Sequence, residues 1–133
     1  MERREFKAEL DELPDVQDFF ESRLSDIAPM KTVMAVSVAI EEIFVNIARY
    51  AYADGGCVTV GFSFDKAART ALFEFRDRGA KFDPTQKSDP DVTLPADERN
   101  IGGLGIFIVK KTMDSVEYRY ENGENILTMK KII

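Results

Sequence analysis

The segment between residues 32 and 52 constrains the fold most strongly, because apolar side chains recur along it at helical spacing. They lie three or four positions apart and comprise Val33, Val36, Ile40, Ile43, Phe44, Ile47 and Ala51. This period predicts a helix from about residue 32 to residue 52. Further apolar residues widen its apolar face, so we expect the helix to be largely buried against the rest of the chain.

The remaining segments predict strands and two more helices. Before the long helix we expect a strand at residues 6–10 and a helix after Pro14 that buries Val16, Phe19, Phe20 and Leu24. After it we expect strands at 58–64 and 71–76 and a polar loop at 81–103. The chain then forms a helix at 104–113 and a closing hairpin of strands 114–120 and 126–132. This order predicts one α+β domain over residues 1–133. Its architecture would be a two-layer α/β sandwich, with helices on one face of a mixed, mostly antiparallel sheet.

Charge and composition exclude several classes of function. The chain carries 24 acidic and 18 basic residues, and its net charge of -6 disfavours direct binding to nucleic acid. The absence of histidine excludes autophosphorylation on histidine, Ser-His-Asp catalysis and histidine-ligated zinc within this chain. The single Cys57 cannot form an internal disulfide, which fits a reducing compartment. No apolar run is long enough for a membrane span, so we expect a cytoplasmic protein that does not bind membranes.

The first candidate site is a pair of polar residues on the long helix. Glu42 and Asn46 are four residues apart, which places them on the same helical face. One interpretation is a partly exposed polar stripe in which Glu42 pairs with Arg49. The alternative is that the Asn46 side-chain oxygen binds a hard cation while Glu42 accepts a proton nearby.

The second candidate site follows the strand at 71–76. Asp77 and Gly79 are turn-forming residues, so a simple turn is one interpretation. In the other, Asp77 is a fixed acceptor for an exocyclic amine such as that of adenine. Gly79 would then allow the backbone to approach the base closely.

The third candidate site is the glycine-rich start of the helix at 104–113. Gly102, Gly103 and Gly105 surround Leu104 there. A flexible hinge before a helix would explain them, but a glycine inside a helix costs about 1 kcal/mol relative to alanine. The exposed N–H groups at a helix N-terminus bind anions, so this segment is also a candidate phosphate site. It is not a P-loop, because no Gly-Lys-Ser/Thr follows.

Taken in order, the three motifs resemble the ATPase domain shared by DNA gyrase, MutL and the histidine kinases, known as the Bergerat fold. The order is Glu42-x-x-x-Asn46, then Asp77-x-Gly79, then Gly103-x-Gly105. Within that superfamily the chain is similar to the short bacterial anti-sigma factor serine kinases. The similarity covers roughly the whole chain and is clearest over residues 40–131.

The resemblance implies a role for each matching residue. Glu42 would be the general base, Asn46 a Mg²⁺ ligand, and Asp77 the acceptor of the adenine amino group. The other ATP-binding residues it implies are Gly79, Phe82, Gly102, Gly103, Leu104, Gly105 and, through water, Thr128. The loop at about 81–103 would be the ATP lid. Two positions depart from the family pattern: Tyr50 stands where a histidine is frequent, and Lys81 replaces the usual second glycine.

The same resemblance implies an ATP-dependent serine protein kinase that is also an anti-sigma factor and so regulates transcription. Its cofactors would be ATP and Mg²⁺, and it would work as a homodimer. It would phosphorylate a small anti-anti-sigma protein on serine and sequester a sigma factor. The alternative is a non-catalytic ATP-binding switch module that regulates a partner by binding alone. Hydrolysis without transfer is a third possibility, because the fold alone does not determine the reaction.

Overall fold

The structure is a computed structural model that describes residues 1–86 and 103–133, except for the side chains of residues 103 and 104. Five strands and three helices follow one another along these residues. They are β1 (Glu2–Lys7), α1 (Leu13–Leu24), α2 (Met30–Tyr50), β2 (Cys57–Asp65), β3 (Thr70–Asp77), α3 (Gly103–Thr112), β4 (Ser115–Glu121) and β5 (Glu124–Ile132). Short 3₁₀ turns lie at Leu10–Glu12 and Pro84–Gln86. The predicted α+β fold is therefore confirmed.

The strands form one sheet in the order β1-β2-β3-β5-β4. Each neighbouring pair is antiparallel. The predicted sheet was mixed and mostly antiparallel, and no parallel pair occurs among the strands described. β3 lies at the centre, where Phe73 pairs with Phe62 on one side and with Met129 on the other. All three of these side chains are buried in the core.

The three helices cover one face of the sheet and form the core with it. The predicted stripe of α1 is confirmed, because Val16, Phe19, Phe20 and Leu24 are all buried. The ring of Phe20 lies 5.6 Å, centroid to centroid, from the rings of Phe73 and Phe75 on β3. α3 packs against α2, so the two polar motifs of the predicted site lie on neighbouring helices.

The long helix is observed close to its predicted position, at Met30–Tyr50. Its buried face comprises Val33, Val36, Ser37, Ala39, Ile40, Ile43 and Phe44. Met30 and Met34 are exposed, so the first turns of α2 are less covered than the wide apolar stripe indicates. In the part of the chain that the structure describes, no helix combines the length and apolarity needed to cross a membrane.

The first strand was predicted wrongly at residues 6–10 and is observed at Glu2–Lys7. β1 is an edge strand that pairs only with β2. Of its residues only Phe6 is buried, and the charged residues before it are exposed. Charged residues are common on edge strands, where they oppose further pairing, and they conceal the apolar alternation that indicates a strand.

Candidate functional site

A cavity of about 490 Å³ lies between α2 and the end of the sheet where β3 finishes and β5 begins. Its lining is mostly apolar and aromatic, with few polar side chains, which is typical of small-molecule sites. The lining residues are Ile43, Asn46, Ile47, Tyr50, Ala51, Phe75, Asp77, Ala80, Lys81, Phe82, Pro84, Tyr118, Asn125 and Leu127. Of the residues predicted from sequence, Asn46, Asp77 and Phe82 meet in this cavity.

Asp77 is a buried carboxylate at the end of β3, with only 7% of its surface exposed. Its Oδ1 accepts hydrogen bonds from the Gly79 backbone N–H at 2.9 Å and from Asn125 Nδ2 at 3.0 Å. No residue within 1–86 or 103–133 donates to Oδ2, and none of them forms an ion pair with this carboxylate. A buried carboxylate with an unbonded oxygen beside a cavity is suited to accept a hydrogen bond from a ligand.

Gly79 does not line the cavity, so its role differs from the predicted close approach to a base. A Cβ at this position would collide with the backbone oxygen of Ala51, immediately after α2. The next residue, Ala80, donates its N–H to that same oxygen at 2.9 Å. The glycine is therefore required for packing the segment after β3 against the end of α2.

Tyr52 fixes the same junction from the other side, a role that no sequence pattern indicated. Its hydroxyl donates to the Cys57 carbonyl and accepts from the Arg78 N–H, each at 2.7 Å. Burial is the main cause that raises the pKa of Tyr52 above its ordinary value, so the phenol stays protonated at neutral pH. The end of α2, the start of β2 and the end of β3 are thus joined through one side chain.

Glu42 and Asn46 lie one helical turn apart on α2. Asn46 lines the cavity, and the part of the structure that is described offers its side chain no hydrogen-bond partner. Glu42 does not pair with Arg49 among those residues, so the polar-stripe interpretation lacks the ion pair that it required. A Cβ at Gly105 would lie 2.5 Å from Glu42 Oε2. The Glu42 carboxylate therefore lies against the first turn of α3, and Gly105 leaves room for it.

The glycine-rich motif is only partly described. α3 begins at Gly103, and Gly105 lies within its first turn. Gly102, the Leu104 side chain and residues 87–102 of the predicted lid lie outside the description. The N-terminal end of α3 lies against the polar pair on α2, through Gly105 and Glu42. A carboxylate near this end is favoured by the helix dipole.

Thr128 does not line the cavity. It pairs with Glu74 on β3 and Glu117 on β4. Because side chains alternate along a strand and Leu127 lines the cavity, Thr128 points to the opposite face of the sheet. The residue of β5 that lies opposite Asp77 is Asn125, which faces the cavity. The position of Thr128 therefore does not favour the expected water-mediated contact with adenine, which stays a prediction.

The two positions that depart from the family pattern both line the cavity. Tyr50 is 64% exposed, so it lies at the edge of the cavity and not in its depth. Lys81 holds its ammonium 5.2 Å from the ring centroid of Tyr120, within range of a cation–π contact. Lysine in place of the usual glycine thus adds a positive charge to the cavity wall.

A family model described as the histidine kinase-like ATPase domain matches residues 6–131 of this chain. The chain belongs to this family. The resemblance of its three motifs is thereby confirmed at the family level, and an ATPase domain implies the use of ATP.

Two relatives of this ATPase domain are named protein kinases. The serine/threonine-protein kinase BtrW of Bordetella bronchiseptica is 26% identical over 94 residues, or 71% of this chain and 66% of the relative. The serine-protein kinase RsbW of Halalkalibacterium halodurans is 29% identical over 102 residues, or 74% of this chain and 61% of the relative. Each match spans less than two thirds of the relative's own length.

Solved structures of histidine kinases share the fold of this ATPase domain. A blue-light activated histidine kinase of Erythrobacter litoralis has a TM-score of 0.55 and 14% identity, covering 79% of this chain and 31% of the other. The histidine kinase AdeS of Acinetobacter baumannii has a TM-score of 0.55 and 13% identity, covering 99% of this chain and 68% of the other. At these identities the likeness shows the fold.

The residues of the ATPase domain fit a divalent cation only with help from a ligand. Within the described ranges, no group of three or more acidic or cysteine side chains could hold a metal ion by itself. The amide of Asn46, which faces the cavity without a protein partner, offers one oxygen. Mg²⁺ is commonly bound by one or two protein oxygens together with substrate phosphates. Asn46 fits that requirement.

Proposed function

We propose that this protein is an ATP-dependent serine protein kinase. Two kinds of observation support the proposal: the family of ATPase domains to which the chain belongs, and the names of its two protein-kinase relatives. The absence of histidine in this chain argues against transfer to a histidine of its own. The names of the two relatives favour a serine hydroxyl group of a partner protein as the acceptor.

The observation that carries the proposal is the spatial order of the polar groups. Asp77, with its unbonded Oδ2, marks one end of the cavity. Asn46 lines the cavity from α2, and Glu42 lies one turn earlier against the start of α3. This order matches a nucleotide whose base lies at Asp77 and whose phosphates lie toward α3.

In the proposed reaction each residue has one role. Asp77 accepts a hydrogen bond from the adenine amino group, and the start of α3, from Gly103 onward, holds the phosphates through backbone N–H groups. Asn46 provides one ligand for Mg²⁺, which would neutralise charge on the phosphates. The acceptor serine oxygen forms a bond to the γ-phosphorus while the bond to the ADP oxygen breaks. Glu42 takes the proton of the serine hydroxyl.

The partners follow from the similarity to the anti-sigma factor kinases. We propose that the phosphate acceptor is a small anti-anti-sigma protein, that the second partner is a sigma factor, and that the protein acts as a homodimer in the cytoplasm. Phosphorylation would remove the acceptor from competition, because it adds a charge of about -2 to the bound surface. The sigma factor would then stay sequestered.

The proposal is tested by phosphoryl transfer to partner candidates encoded near this protein. Purified protein is incubated with γ-labelled ATP, Mg²⁺ and each candidate, and phosphoserine is located by mass spectrometry. Glu42→Ala and Glu42→Gln should slow transfer about 10²- to 10⁴-fold, the usual contribution of a general base. Glu41→Gln, one position earlier on α2 and outside the cavity lining, is the matched control.

One outcome would favour the alternative, a non-catalytic switch module. If the wild-type protein binds ATP but phosphorylates none of the candidates, while ATP changes its affinity for one of them, the protein acts by binding alone. If Glu42→Gln transfers phosphate at the wild-type rate, transfer does not use this carboxylate and the role given to Glu42 is wrong.

A further inference from the structure

Asn125 is the most extensively bonded side chain beside the cavity, and none of the three sequence motifs contains it. It is the second residue of β5, lies opposite Asp77 in the sheet register and is 7% exposed. Its Nδ2 donates to Asp77 Oδ1 at 3.0 Å, to the Ala80 carbonyl at 3.0 Å and to the Gly79 carbonyl at 3.3 Å. Its Oδ1 accepts from the Phe82 N–H at 3.1 Å and from the Tyr118 hydroxyl at 2.5 Å.

The surroundings allow only one orientation of this amide. Nδ2 faces three acceptors, and Oδ1 faces a backbone N–H and a phenol hydroxyl. Turning the amide over would bring its oxygen against three other oxygens and leave the N–H of Phe82 facing an NH₂ group. Only asparagine combines donors and an acceptor on so short a side chain, since aspartate lacks the donors and leucine lacks both.

This bonding has two consequences for the cavity. First, the amide and the Gly79 N–H both bond Oδ1 of Asp77, so the carboxylate is held with Oδ2 as its unbonded oxygen. Second, the amide bonds the backbone of Gly79 and of Ala80 and Phe82, and the last two line the cavity beside the carboxylate. Asn125 thus fixes both the acceptor and the surface against which a planar ligand would lie.

We propose that Asn125 sets the preference of this site for adenine, as a positioning residue that acts through Asp77. The proposal rests on the proposed function, in which ATP binds this cavity. A base with a 6-amino group donates to Oδ2, whereas a 6-oxo base brings an oxygen against a carboxylate that cannot turn away. The rigidity that Asn125 gives to Asp77 is therefore the source of the selectivity.

A purely structural role of Asn125 predicts a different behaviour. In that case, loss of the amide would lower the free energy of unfolding and weaken the binding of all purine nucleotides equally. The ratio of the affinities for ATP and inosine triphosphate separates the two roles, because the two ligands differ only at the N1–C6 edge of the base, where ATP has a 6-amino group and an unprotonated N1 and inosine triphosphate has a 6-oxo group and an N1–H. A double-mutant cycle with Asp77 separates them further, because only residues that act through each other give non-additive losses.

The experiment measures dissociation constants for ATP and inosine triphosphate by titration calorimetry, with thermal melts to confirm folding. The proteins are wild type, Asn125→Ala, Asp77→Asn, the double variant, and Ser37→Ala as control. Ser37 is buried and bonds Glu21 Oε1 at 2.6 Å between α1 and α2, away from the cavity lining. Its loss removes one buried hydrogen bond without touching the site.

We expect Asn125→Ala to lower the affinity for ATP about tenfold or more, which corresponds to the loss of one well-placed hydrogen bond to a charged group. The affinity for inosine triphosphate should fall much less. The ratio of the affinities for ATP and inosine triphosphate should then approach one in Asn125→Ala, whereas Ser37→Ala should keep the wild-type ratio. In the Asp77→Asn background, Asn125→Ala should cause little further loss. If Asn125→Ala does not fold, Asn125→Asp, which keeps the shape and lacks the donors, should show the same collapse of preference.

The possible failures are distinguishable. If the wild-type protein binds no ATP, the proposed function fails and the role of Asn125 fails with it. If the wild-type protein prefers ATP but the folded Asn125 variants keep that preference, only the role of Asn125 is overturned. Additive losses in the double-mutant cycle overturn it as well, because they mean that Asn125 does not act through Asp77.

Discussion

Two buried carboxylates on β3 provide the most informative comparison in this molecule. Glu74 and Asp77 are three residues apart and lie on opposite faces of the sheet, with 6% and 7% of their surfaces exposed. Glu74 Oε1 accepts from Arg76 Nε at 2.7 Å and from Arg3 Nε at 3.3 Å, and its Oε2 accepts from a second nitrogen of Arg76 at 3.3 Å. Asp77 has only an amide and a backbone N–H, both on one oxygen.

The difference separates a structural carboxylate from one suited to binding. Burial alone would raise the pKa of Glu74, but the hydrogen bonds and charges of Arg76 and Arg3 outweigh it and lower the pKa below its ordinary value. Both oxygens of Glu74 are already bonded, so it has little capacity left for a ligand. Asp77 Oδ2 accepts no hydrogen bond from the described part of the chain and lies beside the cavity, so it can accept one from a ligand.

The largest expected effect is on nucleotide binding when Asp77 is changed. Asp77→Asn replaces a pure acceptor by a group that is partly a donor, and it removes the charge. We expect ATP affinity to fall about 10- to 100-fold, with a much smaller change in the free energy of unfolding. Titration calorimetry together with urea denaturation measures both quantities. Unchanged ATP affinity would show that the base is not recognised at this position.

A smaller effect is expected from Gly105→Ala. The added methyl group would press on Glu42 Oε2, whereas alanine favours the helix by about 1 kcal/mol over glycine. We therefore expect phosphoryl transfer to slow about tenfold, because a misplaced general base reacts poorly, while the protein is no less stable. Single-turnover kinetics and thermal melts test this pair of outcomes. A less stable protein with full transfer activity would contradict the prediction.

Glu74→Gln should produce the opposite pattern to Asp77→Asn. It removes the acidic partner of Arg3 and one of the two acidic partners of Arg76, which keeps Glu124, and both arginines are partly exposed, so solvent screens much of the loss. We expect the free energy of unfolding to fall by about 1 kcal/mol, measured in urea, with ATP affinity unchanged. A loss of ATP binding would mean that the two faces of the sheet are not independent.

Acidification should reduce the contribution of Glu74 in the same comparison. Because its pKa is lower in the folded protein, its stabilising effect is complete above its unfolded pKa of about 4.3 and is lost as the pH falls through the folded value. The difference in unfolding free energy between wild type and Glu74→Gln should therefore shrink below about pH 4.5. Urea midpoints between about pH 3 and pH 7 measure it. A constant difference would contradict the lowered pKa.

The smallest effect is expected at Thr128, on the same strand as Asn125 but on the opposite face. Thr128→Val removes a half-buried hydroxyl group and should change ATP affinity less than twofold. Comparison with Asn125→Ala by the same calorimetry tests the assignment of the two faces directly. A clear loss of ATP binding in Thr128→Val would restore the expectation from the family resemblance.

Much of the fold follows from patterns that a single chain displays. The period of α2 and the apolar stripe of α1 predicted both helices, and the turn-forming residues that begin at Asp77, the last residue of β3, marked the end of that strand. These features depend on local spacing alone. β1 was placed too late in the chain, because an edge strand of charged residues lacks the alternation that burial on one face produces.

Residues of the candidate site could be predicted from the sequence only where the residue type itself indicates the chemistry, as the carboxylate of Asp77 does. On β5, Ile126 and Leu127 are both apolar and both buried, so alternation does not indicate which face meets the helices. Thr128 was assigned from the family resemblance, and Asn125, two residues after a turn with Asn122 and Gly123 at positive φ, lay just outside the strand predicted at 126–132. Only the register with Asp77 reveals its place.

The junction at the end of α2 has a consequence for how reactants are aligned. Ala51 and Tyr52 bond the segment that follows β3 on one side of the cavity, and the same helix carries Asn46 and Glu42 along another. In the proposed function, the length of α2 therefore sets the distance between the place where the base is recognised and the place of phosphoryl transfer. A nucleotide held by its base would bring its terminal phosphoryl group to a fixed place near Glu42, and a shorter or longer polyphosphate chain would not reach that place.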